Sequence, residues 1–150
     1  MIIGPDSSKT YRQAVRLLAE DFANFTHFSP TPYEVNEAES YGKIYERDRV
    51  LLFSKPVSRA KICCFGSIGM RWEKYKYTDM AEGEGWFMTW AWFHPAEQRK
   101  GHLRNAWPHI LRLFPDFMPL PPATPAMVAF LKQIGFSHPG LLNREFPIRK

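Results

Sequence analysis

The segment Trp86–Phe93 constrains the fold of this chain more than any other stretch. It reads Trp-Phe-Met-Thr-Trp-Ala-Trp-Phe, so apolar or β-branched side chains occupy both alternating faces. Such a run is typical of a central strand that is covered on both sides. The alternation predicts one face with Trp86, Met88, Trp90 and Trp92 and an opposite face with Phe87, Thr89, Ala91 and Phe93. Pro95 ends the strand, because proline cannot donate a hydrogen bond to a sheet ladder.

A short basic turn, Ala96–Gly101, joins this strand to a helical pattern over about residues 100–114. A helix that begins directly after such a turn presents free N–H groups and a positive dipole end, which attract an anion. Arg99, Lys100 and Arg104 add positive charge that opposes the helix dipole unless an anion is present. The turn therefore predicts an anion site, with ordinary basic residues at a helix end as the alternative.

The strand, turn and helix resemble the GNAT superfamily of acyl-CoA-dependent N-acyltransferases. In that family an apolar-x-Pro step is followed by Gln/Arg-x-x-Gly-x-Gly/Ala, whose backbone amides hold the pyrophosphate of coenzyme A. The matching residues here are Phe93-His94-Pro95 and Gln98-Arg99-Lys100-Gly101-His102-Leu103, with Leu103 at a position that is usually small. A second match lies near the C-terminus, where Gly135-Phe136 agree with the family pattern and Thr124 takes its Asn position.

The resemblance implies an α/β (α+β) fold with a mixed, mostly antiparallel central sheet flanked by helices. A splayed strand pair would form the notch for acyl-CoA, with acetyl-CoA as acyl donor and an amine of a protein or small molecule as acceptor. The implied cofactor-binding residues are Ala91, Trp92, Phe93, Gln98, Arg99, Lys100, Gly101, His102, Leu103, Arg104 and Thr124. For Thr124, capping of its own helix is the alternative interpretation.

The catalytic residues are less evident, although acyl transfer to an amine calls for a base and an acid. The family's usual tyrosine acid falls at Leu131, and a glutamate base used by some members falls at about Phe87. Neither of these side chains can move a proton. Glu84, at the mouth of the strand, is the first candidate base and His94 the second; an exposed surface role is the alternative for each. A catalytically inactive CoA-binding module is therefore a second hypothesis.

Composition adds a third hypothesis. The 150 residues predict one domain over residues 1–150, and 20 Lys+Arg against 15 Asp+Glu give a net charge of +5. That excess suits an anionic cofactor, an acidic protein or nucleic acid. Trp90 and Trp92 could stack on bases, but in so apolar a strand we expect core packing, and we do not expect a nucleic-acid partner.

The lengths of the apolar runs, the first five residues and the placement of the two cysteines bear on location and on cysteine chemistry. No run reaches the ~18 apolar residues of a membrane span, and the start, Met1–Pro5, lacks a signal-peptide pattern. We therefore expect no membrane partner and a cytoplasmic location. Cys63 and Cys64 are adjacent on a predicted strand, where neighbouring side chains point to opposite faces. We expect buried thiols and no metal site; an acyl-carrying cysteine would need a thiolate stabiliser nearby.

The rest of the chain predicts the elements that would complete this fold. Gly66 and Gly69 indicate a bulge or a close backbone approach, and Pro108 predicts a kink in its helix. Cys64, Ile68 and Met70 are predicted to share one face of their strand. The predicted helices are about residues 9–26, Tyr33–Tyr45 and Thr124–Ile134; the strands are Val50–Ser54, Lys61–Trp72, Phe117–Leu120 and Leu141–Ile148; the loops are Lys55–Arg59 and Glu73–Gly85.

Overall fold

The structure, a computed structural model, describes residues 1–26, 47–59, 61–75, 83–119 and 124–136. Within these residues the strands are β1 (Ile2–Ile3), β2 (Asp48–Ser58), β3 (Lys61–Tyr75), β4 (Gly83–Phe93) and β5 (Met118–Pro119). The helices are α1 (Lys9–Thr26), α2 (His102–Leu113) and α3 (Pro125–Gln133). The helix predicted at Tyr33–Tyr45 and the strand predicted at Leu141–Ile148 lie outside the described residues.

The five described strands form one sheet in the order β1-β2-β3-β4-β5. The first three pairings are antiparallel, and β4 pairs with β5 in parallel. The predicted mixed, mostly antiparallel sheet is therefore confirmed. Side chains of α1 form a core with one face of the sheet, and side chains of α2 and α3 form a second core on the opposite face.

A β-bulge in β4 reverses the faces of this strand. Trp90 pairs with Gly69 and Met88 pairs with Met70, so the intervening Thr89 has no register partner in β3, although its hydroxyl donates to the Gly69 carbonyl at 3.2 Å. As a result, Met88 packs in the core under α2 and α3, while Trp90 and Trp92 pack against α1. The prediction that Trp86, Met88, Trp90 and Trp92 share one face is wrong, because a period of two holds only where no residue is inserted.

A second register shift lies in β3. Phe53 pairs with Gly66 and Ser54 with Cys64, which leaves Phe65 as the extra residue. Cys64 therefore packs in the core under α1, whereas Ile68 and Met70 lie in the opposite core, and the prediction of one shared face is wrong for Cys64.

The two glycines of β3 have the role expected of them. A Cβ atom on Gly66 would overlap the ring of Phe93, and a Cβ atom on Gly69 would overlap the indole of Trp90. Each glycine also lies beside a register shift. The predicted bulge is therefore confirmed, and the group that approaches each glycine closely is an aromatic side chain and not another backbone.

Strands β2, β3 and β4 are longer than the sequence pattern predicts, whereas the described part of β5 is shorter than the predicted strand Phe117–Leu120. Lys55 pairs with Cys63 and Pro56 with Ile62, so most of the predicted loop Lys55–Arg59 belongs to a β2–β3 hairpin. The ends of the predicted loop Glu73–Gly85 are likewise paired strand residues. Ladder bonds to a neighbouring strand override a polar composition, and for that reason these loop boundaries are wrong. Helix α2 runs through Pro108, where the kink stays a prediction.

Candidate functional site

The first part of the site is an open edge on β4. Strands β4 and β5 pair only at Phe87 with Met118 and at Met88 with Pro119. Among the described residues, no strand covers this edge of β4 beyond Met88. The edge from Thr89 to Phe93 thus has no neighbouring strand among the described residues, and the bulge lies at its start.

The second part is the turn that follows β4. Pro95–Glu97 form one turn of 3-10 helix, which is closed by the Glu97 N–H donating to the His94 carbonyl at 2.7 Å. The side-chain amide of Gln98 donates back to the Phe93 carbonyl at 2.9 Å. Gln98 thus ties the turn to the end of the strand.

The backbone then passes through two left-handed residues, Arg99 with φ 59° and Gly101 with φ 80°. Glycine adopts this conformation freely, whereas for arginine it costs roughly 1–2 kcal/mol. The first bond of α2 runs from the Asn105 N–H to the Gly101 carbonyl at 2.9 Å. In the part of the chain that the structure describes, the N–H groups of residues 99–104 find no acceptor. Successive free N–H groups of this kind form an anion-binding concavity.

Glu97 is the electrostatic centre of this turn. Its Oε1 lies 2.5 Å from the Lys55 Nζ and 3.2 Å from the Lys100 Nζ, and its Oε2 lies 3.1 Å from the His102 Nε2. The hydrogen bonds from Lys55 and then His102 lower the pKa of Glu97 to about 2. The same contact with Glu97 raises the pKa of Lys55. The carboxylate is therefore ionised at any physiological pH.

Aromatic contacts fix the first residue of α2. The His102 ring stacks on Phe93 with centroids 5.8 Å apart and 22° between the planes, and it lies 4.8 Å from the Phe65 ring. Leu103 packs against the core under α2. These contacts hold the start of the helix, and with it the free N–H groups, against the end of β4.

The structure brings most of the predicted cofactor-binding residues to one end of β4. Trp92 contributes only backbone there, because its side chain is buried under α1. Thr124 is exposed and caps α3 by accepting a hydrogen bond from the Met127 N–H at 3.3 Å, so the capping interpretation is confirmed and its cofactor contact stays a prediction. The residues that lie together are Ala91, Phe93, Gln98, Arg99, Lys100, Gly101, His102, Leu103 and Arg104.

The two candidate bases lie at opposite ends of β4. Glu84 is exposed, pairs across the ladder with Lys74, and lies five residues, or roughly 16 Å, before the bulge at Thr89. His94 is exposed at the other end, where its Nδ1 accepts from the Ala96 N–H at 3.2 Å. The structure thus brings neither side chain next to the bulge, and both roles stay predictions.

Leu131 and Phe87, the positions where the resemblance places an acid and a base, are both core residues. Leu131 is 1% exposed and Phe87 is 3% exposed. Their side chains pack apolar surface, which is consistent with residues that cannot move a proton.

Several features of the site were not predicted from the sequence. Lys55 and Glu97 are 42 residues apart, and nothing in either segment signals their contact. Cys63 is exposed and only Cys64 is half-buried, so the expectation of buried thiols is wrong for Cys63, which lies on the outer part of the hairpin. Burial raises the pKa of the Cys64 thiol.

The described residues contain no group of three His, Cys, Asp or Glu side chains arranged to hold a metal ion. No helix within them has both the length and the apolar character needed to span a membrane.

Comparison with known proteins identifies the fold. No protein-family model matches the chain, and no curated protein matches it in sequence. The aminoglycoside N-acetyltransferase AAC(6')-Iy, solved in complex with CoA, is similar with a TM-score of 0.57 and 12% identity, over 100% of this chain and 98% of its own. A mutant of the BH1408 protein from Bacillus halodurans is similar with a TM-score of 0.54 and 14% identity, over 99% of each chain. The chain has a GNAT-like fold.

Proposed function

We propose that this chain is an N-acetyltransferase that moves an acetyl group from acetyl-CoA to an amine of a protein or small molecule. One observation carries the proposal: a row of free N–H groups, shaped by left-handed Arg99 and Gly101, lies directly beyond the open edge of β4. An acetyltransferase of the same fold in complex with CoA supports this reading. A single domain over residues 1–150 and a cytoplasmic location are parts of the same proposal.

The cofactor would lie along the edge and across the turn. The diphosphate would accept hydrogen bonds from the N–H groups of residues 99–104, and the exposed side chains of Arg99 and Arg104 would add positive charge. The pantetheine arm would pair with the backbone of Ala91 and Trp92. The Phe93 carbonyl already accepts from Gln98, so we expect fewer ligand contacts there.

The thioester would then reach the bulge, where Thr89 has no ladder partner in β3. A backbone N–H left free by a bulge can stabilise the negative charge that develops on a thioester oxygen. The amine nitrogen attacks the carbonyl carbon, the carbon–sulfur bond breaks, and the sulfur leaves as a thiolate that takes up a proton. The nitrogen gives up one proton in the same sequence, and so the atoms balance.

As the base that accepts this proton from the amine, we propose Glu84 first and His94 second. The Nδ1 of His94 is already bonded within the turn, at the end of β4 where the cofactor phosphates would lie. Glu84 lies at the opposite end, on the side left for the acceptor, and because it is roughly 16 Å from the bulge it would take the proton only through a chain of waters. Glu84→Gln should therefore lower the transfer rate without changing the affinity for CoA.

A CoA-binding module without transfer activity is the second candidate. The burial of Leu131 and Phe87 favours it, since neither position offers a proton donor or acceptor. The third hypothesis, a nucleic-acid binder, loses its stacking platform because Trp90 and Trp92 are buried under α1.

A transfer assay separates the two CoA-dependent candidates. Release of free CoA thiol from acetyl-CoA would be followed across a panel of polyamines, aminoglycosides, amino acids and peptide N-termini. The proposal predicts thiol release that depends on at least one amine and that falls in Glu84→Gln. Saturable CoA binding without thiol release across the whole panel would favour the inactive module.

A further inference from the structure

We propose that Glu97 is a positioning residue that holds the turn from Gln98 to Gly101 in the conformation that receives the diphosphate of CoA. The inference rests on the proposed function, because it assigns Glu97 to the cofactor site of that function. Glu97 itself would not touch the cofactor, since its carboxylate is already bonded to Lys55, Lys100 and His102.

The contacts of Glu97 join three parts of the fold. Lys55 reaches its carboxylate from β2, Lys100 from within the turn, and His102 from the first residue of α2. The Glu97 side chain is only 11% exposed, so these bonds are partly shielded from water. Both ends of the turn are thereby attached to one carboxylate, and through Lys55 to the hairpin beyond it.

The turn needs such support because its backbone conformation is not the preferred one. Arg99 has φ 59°, a region that residues other than glycine occupy only where the surroundings hold them there. Gly101, with φ 80°, has the widest choice of alternative conformations of any residue type. If the conformation of the turn that binds the ligand becomes a minor one, the apparent affinity falls in proportion to the fraction of molecules that keep this conformation.

The charge of Glu97 and its positioning role predict opposite effects of Glu97→Gln on the affinity for CoA, so this variant distinguishes the two. Removing a negative charge beside an anion site should strengthen the binding of CoA if the carboxylate acts only through its charge. Losing the bonds to Lys55, Lys100 and His102 should weaken binding if Glu97 holds the turn. The ammonium groups of Lys55 and Lys100 lie against the carboxylate and offset its field at the anion site, so we expect the positioning effect to dominate.

The experiment is isothermal titration of CoA into the wild type, Glu97→Gln and Glu20→Gln. Glu20 pairs with Arg16 on α1, so Glu20→Gln makes the same change in net charge far from the turn. We expect Glu97→Gln to weaken CoA binding about tenfold, which corresponds to about a tenth of the molecules keeping the binding conformation of the turn. We expect Glu20→Gln to leave CoA binding unchanged. Lys55→Met should weaken binding in the same direction, and adding it to Glu97→Gln should cause little further loss.

A second ligand separates positioning of the turn from general damage. Pantetheine lacks the diphosphate, and its binding is followed by chemical-shift changes in an NMR titration of each variant. We expect Glu97→Gln to bind pantetheine as the wild type does. Equal or tighter CoA binding by Glu97→Gln, or an equal loss of pantetheine binding, would overturn the positioning role. A folded wild type that binds no CoA would overturn the proposed function as well.

Discussion

At the scale of single residues, the contact between Gly69 and Trp90 fixes where β4 changes face. The indole of Trp90 occupies the space that a side chain at residue 69 would need, one step from the inserted Thr89. Because Trp90 is 4% exposed and packs on Phe22 of α1, it has little freedom to move aside. The bulge and the edge beside it therefore depend on the absence of a side chain at residue 69.

The variant Gly69→Ala should lower the free energy of unfolding by about 3 kcal/mol, as expected for overpacking of a dense core. Urea denaturation followed by tryptophan fluorescence measures this change. Gly4→Ala is the matched control, since its added Cβ would make only an ordinary contact with Arg49 at 3.6 Å. Equal stability of the two variants would show that Trp90 does not press on residue 69.

Glu97 makes the second prediction at this scale, which concerns pH. Its pKa is lowered from the ordinary 4.5 to about 2 by the hydrogen bonds from Lys55 and His102. The folded chain thus keeps this carboxylate ionised below pH 4.5, where the unfolded chain takes up a proton. The stability that Glu97 contributes is present above about pH 4.5 and is lost as the pH falls towards 2.

Glu97→Gln should therefore flatten the dependence of the free energy of unfolding on pH between 4.5 and 2. Denaturation curves at half-unit steps of pH, for the wild type and for Glu20→Gln as control, give the comparison. A slope in Glu97→Gln that equals that of the wild type over this range would contradict the contacts assigned to the carboxylate.

At the scale of elements, α2 carries a proline in its interior. Pro108 is exposed and lies seven residues into the helix that begins at His102. Proline has no N–H to bond the carbonyl of Arg104, and its ring crowds the preceding turn. Pro108 therefore lowers the stability of α2, the helix whose first turn forms the candidate anion site.

Pro108→Ala should raise the free energy of unfolding by about 2 kcal/mol, since alanine restores the missing bond and favours the helix. Thermal unfolding followed by circular dichroism measures the effect. Leu111→Ala, at a position of the same helix that is 41% exposed, serves as control and should change stability little. A Pro108→Ala variant that is less stable than the wild type would mean that packing of α2 depends on a bend at this residue.

The elements also show which parts of the fold could be predicted from the sequence. The bounds of α1 agree with the prediction because a helical repeat is a local property of about 18 residues. The faces of β4 could not be predicted, because the insertion of Thr89 is set by pairing with β3. The C-terminal end of β2 could not be predicted for a related reason: Lys55 and Pro56 are typical of loops, yet their pairing partners hold them in a strand.

At the scale of the whole molecule, the candidate site is assembled from distant parts of the chain. The turn and the free N–H groups after β4 could be predicted, since strand, turn and helix are contiguous in the sequence. The network around Glu97 could not, because Lys55 arrives from a hairpin 42 residues earlier. The described part of β5 pairs with β4 at two residues only, and the edge from Thr89 onward has no described neighbour.

Part of the excess of basic residues in the chain lies beside the candidate anion site. Arg99, Lys100 and Arg104 are exposed around the free N–H groups, and Glu97 is the acidic side chain of the described residues that contacts this turn. Positive charge is thus gathered at the end of β4 where an anionic cofactor would bind. Salt should weaken such binding, since it screens exposed charges.

The central claim is that the turn after β4 binds the diphosphate of CoA, and calorimetric titration of CoA into the wild type and Gly101→Glu tests it most directly. Gly135→Glu is the matched control, because residue 135 also has a positive φ, 65°, and open space around it, but lies after α3. The account predicts micromolar binding by the wild type and Gly135→Glu, in the usual range for a cofactor site, and its loss in Gly101→Glu. Binding that survives in folded Gly101→Glu, or a folded wild type that binds no CoA, would contradict it.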